Sequence, residues 1–473
     1  MENVVAGIFQ KILHVDLSKG LIGEEKLPLT WYKEFIGGIG VGFQYLFEDL
    51  KLKNPILKDP VIIMTGPLTG TPIPATSKAF IISFLQEQLE LHLSSIEGKF
   101  PSYLKLAGFD GLVLTGRSEK PVALEITHKE SKLVNADQLW GLDVKTTAER
   151  IKKSDQDLSS IMIGPQGENL NPFATVIADQ YINAGRGIGN HIGIKKLKAI
   201  SVKADWELKI GSEMSDFYAE LSDYTDKFFK KKLSTQNRRS CFGCSVCCGL
   251  IDTDQNFIMM EDDLNQLEIL LPGLSPSLVR GFYKDCLKNG VDVFATAELL
   301  PDQDFATITD RTIADIFTKE QVANEQMNNV HLWEDALYAT NQEYSDLILN
   351  NFRSCNGLVQ RENIAMAKNC LPVCHRWDMS LDAMVQFLNK ITGLDFGNND
   401  LITVGDKMID MTMGFFKAID YSPINIGSEQ NEPGLLPMQM CDKIEDYIKI
   451  RNWDETGYPS QSRMKALGVP NLH

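Results

Sequence analysis

The chain has 473 residues, of which 43% are hydrophobic and 23% charged, an ordinary globular composition with room for two or three packed domains. Its formal net charge of −16 would repel phosphate backbones and anionic lipids, so we do not expect nucleic acid as a partner. The amino terminus lacks the basic start and apolar stretch of a signal peptide, and no run of about 18 apolar residues could span a membrane, so we expect a cytoplasmic protein.

Residues 1–210 alternate short apolar runs with glycine and proline, a pattern typical of strands joined by turns. Five of these runs predict strands: VIIMTGP at 61–67, KAFIISFL at 78–85, GLVLTG at 111–116, SSIMIGP at 159–165 and KAISVK at 198–203. Segments with helical spacing lie between them, at 29–50, 99–108 and 145–154. We therefore predict a mixed α/β domain over residues 1–210.

Three glycine-bearing turns follow predicted strands in this domain, at 66–70, 164–169 and 184–189. Such turns let backbone amides approach an anionic ligand, and Arg186 in the third turn could add a bidentate phosphate contact. Taken singly, such turns more often only change the direction of the chain, so a phosphate contact is the less favoured interpretation at each of them.

From about residue 213 the pattern changes to long amphipathic stretches, such as those at 213–233 and 380–391. We predict mostly α-helical domains over residues 211–473, with the domain boundary in the polar stretch at 203–215. The predicted fold class is α+β.

The loop RRSCFGCSVCCGL contains four of the nine cysteines. It offers two sets of three metal ligands: Cys241 and Cys244 with either Cys248 or Cys247. A cubane needs a fourth thiolate, for which the distant candidates are Cys374, Cys370 and Cys355. Where thiols are kept reduced, this spacing favours an iron–sulfur cluster, while a zinc site and unligated buried cysteines remain alternatives.

In chain order, a set of segments resembles the aldehyde ferredoxin oxidoreductase family. The segments are IGGIGVG at 36–42, TGPLTGT at 65–71, LKLAGFDGLVLTGRSEKPV at 104–122, IGPQGENL at 163–170, INAGRGIGNHIGIKKLKAI at 182–200, the cysteine loop, TGLDF with LITVGDKM at 392–408, and DYIKIRNWDETGYP at 446–459. The likeness thus runs through most of the chain.

The resemblance implies a two-sheet amino-terminal domain that forms the base for a tungsten or molybdenum bis-pterin, with helical domains closing over it. It also implies a [4Fe–4S] cluster on Cys241, Cys244, Cys248 and Cys374, which leaves Cys370 and Cys247 as neighbouring or core thiols. The positions that match pterin contacts of the family are Lys78, Ser95, Gly185, Arg186, Gly187 and Asp292.

Several positions depart from the family. Lys78 replaces an arginine, which keeps the charge and loses the planar fork, and Glu97 places a carboxylate where small residues are expected. Asn369 stands where the family has aspartate. The chain is also shorter between about residues 300 and 350, where we assign no catalytic role to His331.

Other titratable residues have simpler interpretations. We interpret the acidic run 261–263, which matches the region of a family carboxylate proposed as general base, as a solvated helix start. The lone histidines are interpreted as surface or satisfied core residues rather than ligands: His14, His92, His128 and His191.

Two hypotheses result. In the first, a tungsten or molybdenum bis-pterin performs two-electron chemistry on an aldehyde- or carboxylate-type substrate, and the cluster passes electrons to a ferredoxin or an iron–sulfur subunit. In the second, the chain is a pterin-free paralogue that serves as an electron-relay or structural subunit of a larger redox complex. Both imply an oligomer or a complex.

Overall fold

The structure is a computed structural model. It describes residues 5–52, 56–87, 90–155, 157–178, 183–185, 187–204, 219–222, 225, 238–244, 248–251, 258–298, 355–374, 377, 379–418 and 444–467. Some features predicted above lie outside the described residues: Arg186, Cys247, His331, the side chain of Cys355 and most of the segment 213–233.

The first sheet has six strands. They are β1 (Lys11–Asp16), β2 (Leu21–Lys26), β3 (Val61–Met64), β4 (Lys78–Leu85), β5 (Glu90–Glu97) and β6 (Gly111–Thr115). Their spatial order is β2-β1-β6-β3-β4-β5, and every neighbouring pair is antiparallel except β1 with β6.

The second sheet also has six strands. They are β7 (Val122–Ile126), β8 (Ser131–Asn135), β9 (Leu158–Ile163), β10 (Val176–Ala178), β11 (Asn183–Ala184) and β12 (Leu197–Lys203). Their spatial order is β11-β10-β9-β12-β7-β8, with β12 and β7 parallel.

All five predicted strands are confirmed, as β3, β4, β6, β9 and β12. Strands β3, β4 and β6 could be predicted because every residue in them is buried, which gives mainly apolar runs in the sequence. The strands that went unpredicted include β2, which is mostly exposed, and β5, which carries polar residues on a buried strand.

Six helices accompany these sheets. They are α1 (Leu29–Phe35), α2 (Gly38–Leu50), α3 (Phe100–Leu106), α4 (Val144–Ser154), α5 (Pro165–Glu168) and α6 (Gly189–Ile194). The predicted segment 29–50 is divided between α1 and α2. The break is fixed by close packing, because a Cβ on Gly38, whose φ is +48°, would lie 2.3 Å from the carbonyl oxygen of Asn369.

A small third sheet and a helical region follow. The strands are β13 (Arg238–Arg239), β14 (Gly249–Ile251) and β15 (Ile258–Met260). The helices are α7 (Glu261–Leu270), α8 (Pro276–Asn289), α9 (Val293–Glu298), α10 (Cys355–Cys370), α11 (Leu381–Thr392), α12 (Asn398–Ala418), α13 (Ile444–Arg451) and α14 (Gln461–Leu467). The α+β fold class is confirmed, with two sheets near the amino end and helices beyond them.

The described elements stack in layers. One face of the first sheet packs on the carboxy-terminal helices, where Phe415 of α12 stacks on Phe47 and meets Phe84 edge-on. The opposite face packs on the second sheet. The far side of the second sheet is covered by α7 to α9, with Phe282 and Leu287 in that layer. Hydrophobic clusters therefore continue across the predicted boundary near residue 210, which stays a prediction.

Within the described residues, no helix is long and apolar enough to cross a membrane.

Candidate functional site

The cysteine loop is closed by a short hairpin. Strands β13 and β14 pair antiparallel on either side of it, so Cys241 and Cys248 stand at its two ends. The amide of Cys244 donates to the carbonyl of Cys241 at 3.1 Å, and Gly243 between them has a φ of +66°. This tight turn brings the described part of the CxxCxxxC sequence into one small loop.

Cys374 reaches the same place from the helical region. Just after α10, its amide donates to the carbonyl of Ala75 at 2.7 Å, which ties it to the connection between β3 and β4. The side chains then meet around one cavity, which is lined by Ala75, Ser77, Glu97, Cys241, Cys244, Cys248 and Cys374. The four cysteines implied as cluster ligands are thus brought together.

Cys370 lies elsewhere. It is fully buried in the core between α10 and α2, where a Cβ on Gly40 would lie 3.3 Å from its sulfur. Burial raises the pKa of this thiol. Cys286 is likewise buried, in α8 beyond the second sheet. Neither residue lines the cysteine cavity.

The amino-terminal domain forms the floor of this cavity. The hydroxyl of Ser77 donates to the carbonyl of Gly98 at 2.6 Å, and the amide of Phe242 in the cysteine loop donates to the same carbonyl at 3.3 Å. Tyr103 of α3 meets Phe242 edge-on, with ring centroids 6.0 Å apart. The loop is therefore docked on the ends of β4 and β5 through backbone and aromatic contacts.

The electrostatics of the cavity favour a bound cation. Burial raises the pKa of the Cys241 thiol well above its usual range, and negative charge on Glu97, Cys248 and Cys244 raises it further. Four thiolates beside a carboxylate would repel one another unless a metal centre compensates them. This donor set fits a [4Fe–4S] cluster. Among the described residues, no three of these cysteine sulfurs lie within 4.8 Å of one another, so a single zinc ion would require them to move closer together.

Lys78 and Glu97 form a buried ion pair beside the cavity. The ammonium of Lys78 lies 3.9 Å from Glu97 Oε1 and 5.1 Å from the ring centroid of Phe80. Only 1% of Lys78 is exposed. Its charge is directed at the carboxylate of its own protein, which leaves less of it for an incoming phosphate.

The glycine turn at 184–189 is packed against its own protein. The amide of Gly185 donates to the carbonyl of Ser95 at 2.9 Å, so these two candidate residues are in contact. Gly185 and Gly187 have φ values of +67° and +70°. A Cβ on Gly187 would lie 3.1 Å from His92 Nδ1. Backbone conformation and internal packing thus explain the glycines here.

Asp292 has a structural role in the described fold. Its carboxylate accepts from the amides of Phe294 at 3.0 Å and Ala295 at 2.9 Å, which caps the start of α9. Together with the Lys78–Glu97 pair and the packed glycine turn, this shows that the described candidate positions do not present an open phosphate-binding set. Arg186, the remaining candidate position, lies outside the described residues.

The acidic run at 261–263 begins a helix, as predicted, since α7 starts at Glu261. The prediction that this start is solvated is wrong for Asp263, which is 7% exposed and accepts from the Tyr283 hydroxyl at 2.9 Å. The side chains of residues 261 and 262 lie outside the described residues.

Sequence reasoning interpreted the lone histidines as surface or core residues, and the structure places two of them, both buried, in contact with each other. The rings of His92 in β5 and His191 in α6 lie 4.5 Å apart, centroid to centroid. Both lie next to Glu90. The only signal in the sequence is the alternation of Glu90 and His92 on one strand. The contact with α6 depends on the fold, so it could not be found from spacing.

Comparisons with known proteins show what the amino-terminal domain is similar to. Residues 12–204 match the sequence model of the aldehyde ferredoxin oxidoreductase N-terminal domain. The tungsten-containing aldehyde ferredoxin oxidoreductase of Thermococcus kodakarensis is 34% identical over 212 residues, which are 44% of this chain and 35% of that protein. The aliphatic sulfonate oxidoreductase, WOR-like subunit, of Pyrococcus furiosus is 30% identical over 242 residues, 46% of this chain and 38% of that protein. The match thus spans little more than a third of these relatives.

A solved structure extends the likeness to the whole fold. It is the active site complex BamBC of benzoyl coenzyme A reductase with 1,5-dienoyl-CoA, matched with a TM-score of 0.75 over 99% of this chain and 98% of that chain. At 15% sequence identity this comparison bears on the fold alone.

Proposed function

We propose that this chain is an iron–sulfur redox protein of the aldehyde ferredoxin oxidoreductase family, since residues 12–204 match the N-terminal domain of that family. The proposed cofactor is a [4Fe–4S] cluster on Cys241, Cys244, Cys248 and Cys374. The convergence of these four side chains on one cavity is the observation that supports it.

A bound cubane would supply one-electron transfer. The chain's own residues would hold it and set its surroundings. The amides of Cys244 and Cys374 fix the ligand backbone through their bonds to Cys241 and Ala75. Glu97 and its partner Lys78 place a buried ion pair beside the ligands.

The electron-relay role is favoured over catalysis by this chain. A bis-pterin needs cations and open glycine turns for its phosphates. In this protein Lys78 faces Glu97, and Asp292 caps α9. We therefore propose a relay or structural subunit of a larger redox complex, with a ferredoxin or an iron–sulfur subunit as its electron partner, in the cytoplasm.

The second candidate is a catalytic oxidoreductase that acts on an aldehyde- or carboxylate-type substrate at a tungsten or molybdenum pterin. Its support is the 34% identity over 212 residues to a protein named as tungsten-containing.

Metal analysis separates these candidates. Anaerobically purified protein should be assayed for iron, zinc, tungsten and molybdenum, with a pterin assay on the same sample. About four iron atoms per chain without tungsten, molybdenum or pterin is the expected result and supports the relay role. About four iron atoms with about one tungsten or molybdenum and pterin would support the catalytic candidate instead. Zinc bound by the four cysteines, without iron, would overturn both.

A further inference from the structure

A second group of metal-binding side chains lies away from the cysteine cavity. In the part of the chain that the structure describes, one group of metal-ligating side chains has ligand atoms that all lie within 4.8 Å of one another: Glu90, His92 and His191. Alternation along β5 puts Glu90 and His92 on the face opposite to Glu97, which lines the cysteine cavity.

We propose that Glu90, His92 and His191 bind a divalent first-row transition-metal ion, zinc or ferrous iron. His92 Nε2 lies 2.5 Å from Glu90 Oε1, and His191 Nε2 lies 3.6 Å from the same oxygen. Ligand atoms at about 2.0–2.1 Å from a tetrahedral ion are themselves roughly 3.3 Å apart, so an ion would need only small side-chain movements. Two imidazoles and one carboxylate form a set that such ions prefer.

The surroundings of His191 support this site. Its ring is fully buried, and its Nε2 makes no hydrogen bond in the structure. Glu90 Oε1 lies 3.6 Å from it, beyond hydrogen-bond distance, and a metal ion between the two groups would satisfy both.

An outer partner orients the same ring. Ser83 Oγ lies 2.6 Å from His191 Nδ1, and with a metal ion on Nε2 the Nδ1–H would donate to this hydroxyl. Metal-bound histidines commonly have such a partner on the second nitrogen. Glu90 retains 27% of its side-chain exposure, which gives an ion access from solvent.

The ion would connect β5 to α6 directly beside the glycine turn. Gly187 packs on His92, and Gly185 bonds to Ser95 of β5. A metal bound by His92 and His191 would therefore link β5 to α6 beside this turn. The site adds a structural metal to the proposed redox role and does not depend on it.

Zinc is the probe for the test. Cluster-bearing wild-type protein is equilibrated with a small excess of Zn²⁺, desalted and measured for zinc content and by zinc K-edge X-ray absorption. We expect about one zinc per chain with nitrogen and oxygen neighbours at about 2.0–2.1 Å. His191→Gln should lose this zinc, whereas His14→Gln, which changes a partly exposed histidine in β1, should retain it.

Ser83→Ala provides a milder variant that keeps all three ligands, and it should weaken zinc binding roughly 10- to 100-fold. Equal zinc retention by wild type and His191→Gln would overturn the proposal, as would sulfur neighbours at about 2.3 Å, which would place the zinc on cysteines. If His191→Gln fails to fold, the zinc K-edge spectrum of the wild-type protein still shows whether the zinc neighbours are nitrogen and oxygen or sulfur. Cluster iron is measured in the same samples, so failure of this site is distinguishable from failure of the proposed redox function.

Discussion

Cys374 and Cys370 lie four positions apart in sequence but have different surroundings. Cys374 lines the cavity with the loop cysteines, whereas Cys370 packs against α2. We expect Cys374→Ala to lose most of the bound iron and the visible absorption, because it removes a ligand. Cys370→Ala should keep the iron while costing stability through a small cavity.

The measurement is iron content per chain with the visible spectrum, and a thermal midpoint for each variant. The reverse order of iron loss would contradict the proposed ligand set. Cys286→Ala serves as a control, since it removes a buried thiol far from both positions.

A pH dependence is expected from Lys195, which is fully buried and donates to the carbonyl of Gly116 at 3.1 Å. Burial lowers its pKa to about 7. Above that pH the folded state has lost this proton while the unfolded chain keeps it up to its ordinary pKa near 10.5. The unfolded state then binds more protons, so the free energy of unfolding rises with pH by at most about 1.4 kcal/mol per unit.

Lys195→Met should remove this rise, and the exposed Lys120→Met should leave it intact. Urea unfolding of wild type and both variants at about pH 6, 7.5 and 9 gives the slope of the free energy of unfolding against pH for each protein. Identical slopes for wild type and Lys195→Met would show that Lys195 stays charged in the fold.

At the residue scale, the sequence supports some inferences and not others. The CxxCxxxC loop is informative because three sulfurs sit in one short segment, and the resemblance selected Cys374 from its matching segment. The Lys78–Glu97 pair could not be predicted, because it depends on the register that aligns β4 with β5. The same holds for His92 and His191, which meet only once α6 packs on the sheet.

At the scale of elements, α10 and α12 pack at very short range. A Cβ on Gly405 of α12 would lie 1.8 Å from the carbonyl oxygen of Asn363 in α10. Buried polar groups add to this contact, since Arg451 of α13 donates to Asn363 at 2.7 Å and to Asp406 at 2.9 Å. The position of α10 matters for the site because Cys374 follows directly from its end.

Gly405→Ala should therefore destabilise the protein. Alanine is intrinsically better than glycine in a helix by about 1 kcal/mol, but the backbone contact forces the helices apart at a cost of roughly 1–3 kcal/mol or more. Gly281→Ala in α8 is the matched control, since no atom lies within 4 Å of its added Cβ, and it should stabilise by about 0.5–1 kcal/mol. The urea unfolding midpoints of both variants and wild type are compared. A Gly405→Ala protein as stable as wild type would show that α10 and α12 can move apart without losing stability.

The elements themselves were predictable where burial is uniform. The five apolar runs became strands because both faces of these strands are covered, and 380–391 became α11 because one face is apolar. The break between α1 and α2 could not be foreseen from spacing, since it comes from the approach of Asn369, far away in the sequence.

At the scale of the whole molecule, the cysteine cavity joins three parts of the chain. Ala75, Ser77 and Glu97 belong to the first sheet region, three cysteines to the hairpin loop and Cys374 to the helical region. The hydrophobic layer around Phe47, Phe84 and Phe415 joins the first sheet to the helices independently of this cavity. The order of the layers was not predictable from the sequence, because it depends on which apolar face of each sheet packs on the helices and which packs on the other sheet.

In this arrangement a bound cluster would stabilise the cysteine loop and Cys374, whereas the apolar layer stabilises the contact between the first sheet and the helices. Removing the iron should lower the thermal midpoint, because a ligand bound only to the folded state adds to its stability. The apolar layer should still hold the sheet and the helices together. We therefore expect faster hydrogen exchange at the amides of Cys244 and Cys374, while the amides of β3, β4 and α12 keep their protection. Hydrogen exchange with mass spectrometry, before and after iron removal, tests this directly. Equal loss of protection in α12 would mean that the metal centre, rather than the apolar layer, holds the helices on the sheet, whereas no change at Cys374 would remove it from the metal site.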